Sequence, residues 1–315
     1  MRINQVCVLG GSGFVGSAVV HKLSNAGYMV KVLSRRRERA KHLILLPNVQ
    51  VVECNVLNDA ELNMHLQGAD AVINLIGILH ESKKLTFEQM HHQFPKRVAE
   101  ACEKLGIRRL LHMSALQTAP NAPSAYLRSK AAGEAAVLEH AKRINVTIFK
   151  PSVIFGRGDR FLNLFATIVK VMPMVALAKP EARFQPVWVE DVADAMVNSM
   201  SNIDTFGKSY ELGGPRVYTL RDLVSFVIFV LGKKRKIVGL NDKLSYWQAY
   251  AMEKLPVTLM TRDNFHSMEV DSVCHGPVAP ELGINPAAVE AVVPEYLAND
   301  TPRAAYDRFR GLAGR

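Results

Sequence analysis

The stretch VLGGSGFVG, residues 8–16, constrains the chain more than any other. It follows a strand-like apolar run, QVCVLG, and opens a helix-like run, VGSAVVHKLSNAG, closed by Gly27. Gly10, Gly13 and Gly16 permit a tight strand-to-helix turn. They also let backbone N–H groups approach a pyrophosphate at a helix N-terminus, where the helix dipole favours negative charge. Strand, glycine turn and helix in that order predict a dinucleotide-binding unit.

The rest of the first half repeats the rhythm. MVKVLS, VQVVEC, AVINLIG and RRLLHMSAL read as strands, about 86–105 as a helix, Tyr126 to Arg143 as another helix, and VTIFKPSVIFG as a sixth strand. Strands alternating with helices imply crossover connections, a parallel sheet and helices on both faces: an α/β, doubly wound fold. Beyond Gly156 the rhythm breaks in MPMVALAKPEARFQP, with three prolines. The expected organisation is a nucleotide-binding domain over 1–158 to which 186–204 returns, and a smaller lobe from 159–185 and 205–315.

Which dinucleotide binds is read at the end of the second strand. A carboxylate there bonds the ribose 2′-hydroxyl of NAD and repels a 2′-phosphate. This chain has Ser34 followed by Arg35 and Arg36, a hydroxyl and two guanidiniums that suit a phosphate. NADP(H) is expected over NAD(H).

Tyr126 precedes Lys130 by four positions, so on a helix the two share a face. A cation beside a phenol favours the phenolate and makes an acid-base pair, yet the same spacing arises readily by chance. Ser114 lies at the end of the fifth strand, twelve positions before Tyr126. The glycine loop, Ser114 and the YxxxK spacing in this order resemble the short-chain dehydrogenase/reductase superfamily. KPSVIFGRGDRF, PVWVEDVADAM and YELGGPRVYTLRDLV resemble its extended, epimerase-like branch. YLRSKAAGE, FGRGDRFLN and TRDNF are most similar to the nucleotide-binding accessory subunit of respiratory complex I and its bacterial relatives.

The resemblance implies roles at matching positions. Tyr126 would exchange a proton with the substrate oxygen, Lys130 would hold the nicotinamide ribose and lower the tyrosine pKa, and Ser114 would orient the substrate oxygen. Gly10, Ser12, Gly13, Phe14, Val15 and Gly16 would cradle the pyrophosphate; Ser34, Arg35 and Arg36 would meet the adenine ribose. Asn55 and Val56 would lie toward the adenine, where many relatives carry an aspartate, and Gly77 would pass near the adenine ribose. Pro151, Ser152 and Val153 would flank the nicotinamide. The family's helical asparagine, part of a proton relay through water, is replaced by His91. A histidine can relay protons; the bland expectation is an exposed helical histidine.

Two functions follow: an oxidoreductase acting on a small carbonyl, hydroxyl or quinone-related substrate, or a catalytically weak NADP(H)-binding accessory or assembly protein of a membrane respiratory or quinone-pathway complex. No metal is expected, since Cys7, Cys54, Cys102 and Cys274 are scattered and adjacent His91 and His92 point about 100° apart on a helix.

The chain opens directly into a strand with no signal-like order, and its longest apolar run, roughly 223–231, is short of the 18–20 residues a bilayer requires. A cytoplasmic protein is expected, with peripheral attachment at the inner face of a membrane open. The net charge is +10, with clusters at Arg35 to Lys41 and Lys233 to Lys236 and more basic residues near the C-terminus. No aromatic-interleaved basic sheet pattern points to nucleic acid. LVSFVIFVLGKKRK, 223–236, is read as a packed lobe helix whose basic end complements its dipole, with an anionic lipid surface as the alternative.

Overall fold

A computed structural model describes residues 3–82, 84–254 and 260–298. The basic residues near the C-terminus and the last part of the expected 205–315 lobe lie outside the described residues. Contacts divide the chain into two units.

The first unit takes residues up to 152 together with Val189–Leu212 and Cys274–Asn285. In chain order it holds β1 (Gln5–Leu9), α1 (Phe14–Asn25), β2 (Met29–Ser34), β3 (Val49–Glu53), α2 (Asp59–Leu66), β4 (Ala71–Asn74), α3 (Phe94–Lys104), β5 (Arg109–Met113), α4 (Ala125–Leu138), β6 (Asn145–Pro151), α6 (Val189–Ser199) and β11 (Lys208–Leu212). The seven strands form one sheet in the order β11-β6-β5-β4-β1-β2-β3, and every pairing is parallel. The strand order reverses between β1 and β4. In open α/β sheets that reversal opens a crevice at the strands' carboxyl ends, and here the glycine turn after β1 lies in it.

β1, β4 and β5 are buried at nearly every position, as expected for strands covered on both faces. Side chains from these strands and from α3 join one apolar cluster, which includes Leu9, Val72, Phe94, Val98, Leu110 and Ile148. Arg109 is fully buried in this unit. Its guanidinium donates to the carbonyls of Met200, Asn145 and Ser199 and to Thr205 Oγ1, which satisfies a charge that would otherwise be costly to bury.

Two features depart from the sequence reading. The segment read as a single helix over about 86–105 is a π-helical turn, Glu88–Gln93, running into α3. The lobe expected to begin at 205 begins later, because Lys208–Leu212 adds the seventh strand beside β6, registering Tyr210 with Phe149. KSYEL hides this strand: only Tyr210 and Leu212 are buried, too short an alternation to stand out.

The second unit holds β7 (Ile154–Phe155), α5 (Leu162–Val171), β8 (Met174–Leu177), β9 (Arg183–Phe184), β10 (Val187–Trp188), β12 (Tyr218–Thr219), α7 (Leu220–Val230), β13 (Lys236–Gly239), α8 (Asp242–Glu253), α9 (Arg262–Ser267) and α10 (Val289–Leu297). Among the described residues its strands pair in twos, β10 with β7, β12 with β9 and β13 with β8. α5, α7 and α10 supply its core through Leu162, Val169, Leu223, Val227, Val289 and Val293. α7 starts on a capping box in which Thr219 and Asp222 satisfy each other's backbone N–H groups.

Candidate active site

Gly10 sits at φ +83°, and a Cβ there would lie 3.2 Å from the Ile76 side chain and the Leu75 carbonyl carbon. A Cβ on Gly16 would lie 2.2 Å from the Gly10 carbonyl oxygen. Only glycine fits at both places. Gly13 precedes α1 and offers no side-chain cap, so the first-turn amides of Phe14, Val15 and Gly16 are left to an outside acceptor. The cradle fits a pyrophosphate.

At the end of β2 the Ser34 hydroxyl donates to the Arg36 carbonyl at 3.0 Å and lies 3.4 Å from Ser12 Oγ. Arg35 and Arg36 are exposed, and among the described residues neither has an ion-pair partner. The nearest strand-end carboxylate, Glu53, is in register with Ser34 and accepts instead from the Arg37 N–H at 3.3 Å. Asn55 is exposed, with Oδ1 taken by the Leu57 N–H; Val56 is buried.

α4 carries the reacting candidates. Its N-cap is Ser124, whose hydroxyl accepts from the Leu127 N–H. Tyr126 packs edge-on against Phe87 and His91, at ring-centroid distances of 5.9 and 5.3 Å. Loss of water around the phenol pushes its pKa up to about 12. Lys130 is buried and donates to the Met113 carbonyl at the end of β5, at 3.1 Å; burial lowers its pKa to about 8, against a small opposing pull from Glu134. A Cβ on Gly77 would lie 3.3 Å from Lys130 Nζ, so the bare glycine gives the ammonium room.

Ser114 is buried, and its hydroxyl donates to Glu134 Oε1 at 2.5 Å. Thr118 Oγ1 donates to the same oxygen at 2.5 Å, and Lys150 Nζ lies 3.3 Å from Glu134 Oε2. Glu134 is the group the sequence reading missed. Its position was visible, since Tyr126, Lys130 and Glu134 stand at steps of four on one helix face. Pro151 and Ser152 are buried at the end of β6, where the Pro151 carbonyl accepts from the Leu116 N–H and the Ser152 N–H donates to Leu212.

His91 is not an exposed helical histidine; it is 1% exposed. Nε2 accepts the Ile78 N–H at 3.0 Å, which fixes the proton on Nδ1, and Nδ1 donates to Ser129 Oγ at 3.0 Å. Ser129 in turn donates to the Tyr126 carbonyl at 2.8 Å, and the imidazole stacks on Phe87. Burial and the neighbouring Lys130 push its pKa down to about 2. With both nitrogens held and the neutral form strongly favoured, the ring is a post that positions Tyr126. The bland expectation of an exposed helical histidine fails: His91 lies buried in the π-helical turn.

Buried His112 makes a second neutral imidazole nearby, its Nδ1 3.3 Å from Asn74 Nδ2 and its pKa lowered to about 3 by burial and Lys130. Among the described residues no three metal-capable side chains come together, and no helix is long and apolar enough to cross a membrane.

Residues 6–213 match the model of the NAD dependent epimerase/dehydratase family. The mitochondrial 40 kDa subunit of NADH-ubiquinone oxidoreductase from Neurospora crassa is 28% identical over 308 residues, covering 95% of this chain and 80% of that protein. The mitochondrial NADH dehydrogenase 1 alpha subcomplex subunit 9 of Arabidopsis thaliana is 31% identical over 277 residues, or 84% and 68% of the two chains. Among solved structures, MoeE5 in complex with UDP-glucose and NAD superposes with a TM-score of 0.71 at 18% identity, covering 98% of this chain and 100% of that one, a likeness of fold.

Proposed function

Because the chain belongs to the NAD dependent epimerase/dehydratase family, we propose that it holds NADP(H) in the glycine cradle and serves as a catalytically weak accessory or assembly protein of a membrane respiratory or quinone-pathway complex. The observation that carries this reading is the hydrogen bond from Ser114 to Glu134. A serine that orients a substrate carbonyl must offer its proton to that oxygen, and here the proton goes to a carboxylate with a stronger claim on it. The immobilised His91 supports the same reading, since the usual relay has no acid-base group in its place. The two relatives described above are named as subunits of a respiratory enzyme, which fits an accessory role. Arg35 and Arg36, exposed and without an ion-pair partner among the described residues, support the phosphorylated coenzyme, although the solved neighbour carries NAD.

A second reading, an oxidoreductase for a small carbonyl, hydroxyl or quinone-related substrate, rests on Tyr126 and Lys130. Nicotinamide would supply the hydride, and Tyr126, protonated up to about pH 12, would be ready to donate at the substrate oxygen. Purified protein is titrated with NADPH and NADH by calorimetry and then offered quinones and short carbonyl compounds. Tight NADPH binding without turnover supports the accessory reading. Turnover that disappears in Tyr126→Phe overturns it in favour of the enzyme, and no heat with either coenzyme overturns both.

A further inference from the structure

The second unit contains two stretches without a carboxylate: none occurs between Asp159 and Glu181, and none between Asp222 and Asp242. Each runs from helix through turn to strand, α5 into β8 and α7 into β13. α5 packs on α7 and β8 pairs in parallel with β13, placing Met174 beside Lys236. The two turns, 171–173 and 231–235, therefore lie side by side at one rim. Arg235 ties them, its Nε donating to the Val169 carbonyl at 2.9 Å.

The side chains on this rim are unusual for a water-facing edge. Val171, Met172, Met174 and Phe229 are 74%, 50%, 49% and 78% exposed. Around them stand Lys170, Lys233, Lys234 and Lys236, all exposed, and among the described residues none has an ion-pair partner. Complementing the helix dipole accounts for Arg235, which meets the last carbonyls of α5. It does not account for Lys233, Lys234 and Lys236, because Gly232 and Lys233 already close α7 through backbone N–H bonds to Phe229 and Ile228. Nor does α7 lie flat on anything outside, for Leu223, Val224, Val227 and Ile228 face the unit's own core.

We propose that this rim docks on an anionic lipid surface, with the methionine, valine and phenylalanine side chains entering the boundary between headgroups and acyl chains and the lysines meeting the phosphates. The exposed apolar tips choose between partners of like charge: a nucleic acid or an acidic polypeptide would satisfy the lysines, but the four apolar tips match a hydrocarbon boundary. The surface lies wholly in the second unit and does not depend on what the glycine cradle binds.

The test is flotation of the full-length protein with phosphatidylcholine vesicles, with and without phosphatidylglycerol. Binding is expected only with the anionic lipid, and it should weaken as added salt shortens the screening length from about 10 Å at 0.1 M to about 3 Å at 1 M. Each lysine near an anionic leaflet contributes about five-fold in partition, so Lys233→Glu, Lys234→Glu and Lys236→Glu together should lower it by about 100-fold or more. Met172→Ser with Phe229→Ser should also lower partition, at low and high salt alike. NADPH titration and circular dichroism of each variant confirm that the fold and the cradle are intact. Equal binding to neutral vesicles, no flotation at low salt, undiminished flotation of the triple variant, or capture by nucleic acid or polyglutamate without vesicle binding would each overturn the proposal.

Discussion

The Ser114 hydroxyl donates to Glu134 Oε1 at 2.5 Å, two helical turns past Tyr126 on α4. Eight residues of helix span roughly 12 Å, so Glu134 stands two turns along α4 from Tyr126. The same carboxylate accepts from Thr118 and faces Lys150, which makes it the junction between β5, the loop after it, α4 and β6.

Glu134→Ala is expected to destabilise the protein by about 2–4 kcal/mol, because the buried Ser114 hydroxyl and the half-buried Thr118 hydroxyl lose their acceptor and a largely buried ammonium loses its partner. Glu134→Gln, which keeps an acceptor oxygen, should recover part of that loss. Urea unfolding midpoints of the three proteins measure the difference. Equal midpoints would show that the carboxylate holds nothing together.

The contrast between Glu134 and the glycines shows what the sequence could disclose. Gly10, Gly13 and Gly16 were legible because their requirement is local: a turn and a helix start, written in consecutive residues. Six strands of the seven-stranded parallel sheet followed from the strand-helix alternation; β11 escaped because this edge strand buries so little. Tyr126, Lys130 and Ser114 were singled out by the family resemblance that their order carries, but where their protons go depends on groups brought up from other elements. Glu134, Thr118 and Lys150 meet only once the chain is folded. The burial of His91 was hidden for the same reason, since the groups that hold its ring, the Ile78 N–H and Ser129, come from other segments of the chain.

His91 and His112 give the protein a directed sensitivity to acid. Their native pKa values, about 2 and about 3, lie below the ordinary value near 6.5, so the unfolded chain takes up protons that the native one refuses. Their contribution is complete above pH 6.5 and is lost as pH falls toward those native values, at up to about 1.4 kcal/mol per pH unit for each ring. Between pH 7.5 and 5.0 the wild type should lose about 1–2 kcal/mol more than His91→Gln, whose amide oxygen can still accept from Ile78. Denaturant midpoints at the two pH values test this; parallel losses would sink it.

Gly133→Ala should damage the site without touching a reactive group. A Cβ there would stand 1.9 Å from the backbone carbonyl oxygen of His91, so α4 and the π-turn would have to separate. Overpacking of this kind costs about 1–3 kcal/mol. It would also move Tyr126 relative to the His91 ring, so weaker NADPH binding should accompany the lower melting temperature. An unchanged melting temperature would mean that the π-turn yields freely.

Lys130 is held at a cost. Burial lowers its native pKa to about 8 from the free value near 10.5, and its one described hydrogen bond is to the Met113 carbonyl. As pH falls from the free value to the native one, the unfolded chain gains a proton that the native chain lacks, and stability declines; below pH 8 the penalty is constant. A penalty of that origin is what a group kept for binding or chemistry would carry, and replacing the lysine tests that reading. Lys130→Met is therefore expected to raise stability at pH 7 by about 1–3 kcal/mol, net of the unpaired Met113 carbonyl. The same variant should bind NADPH less tightly, and should differ least in stability from wild type above pH 10.5. Thermal unfolding at pH 7 and pH 10.5, with calorimetry at pH 7, separates the two effects. A variant less stable than wild type at neutral pH would show that the lysine is a structural strut, not a group poised for a ligand.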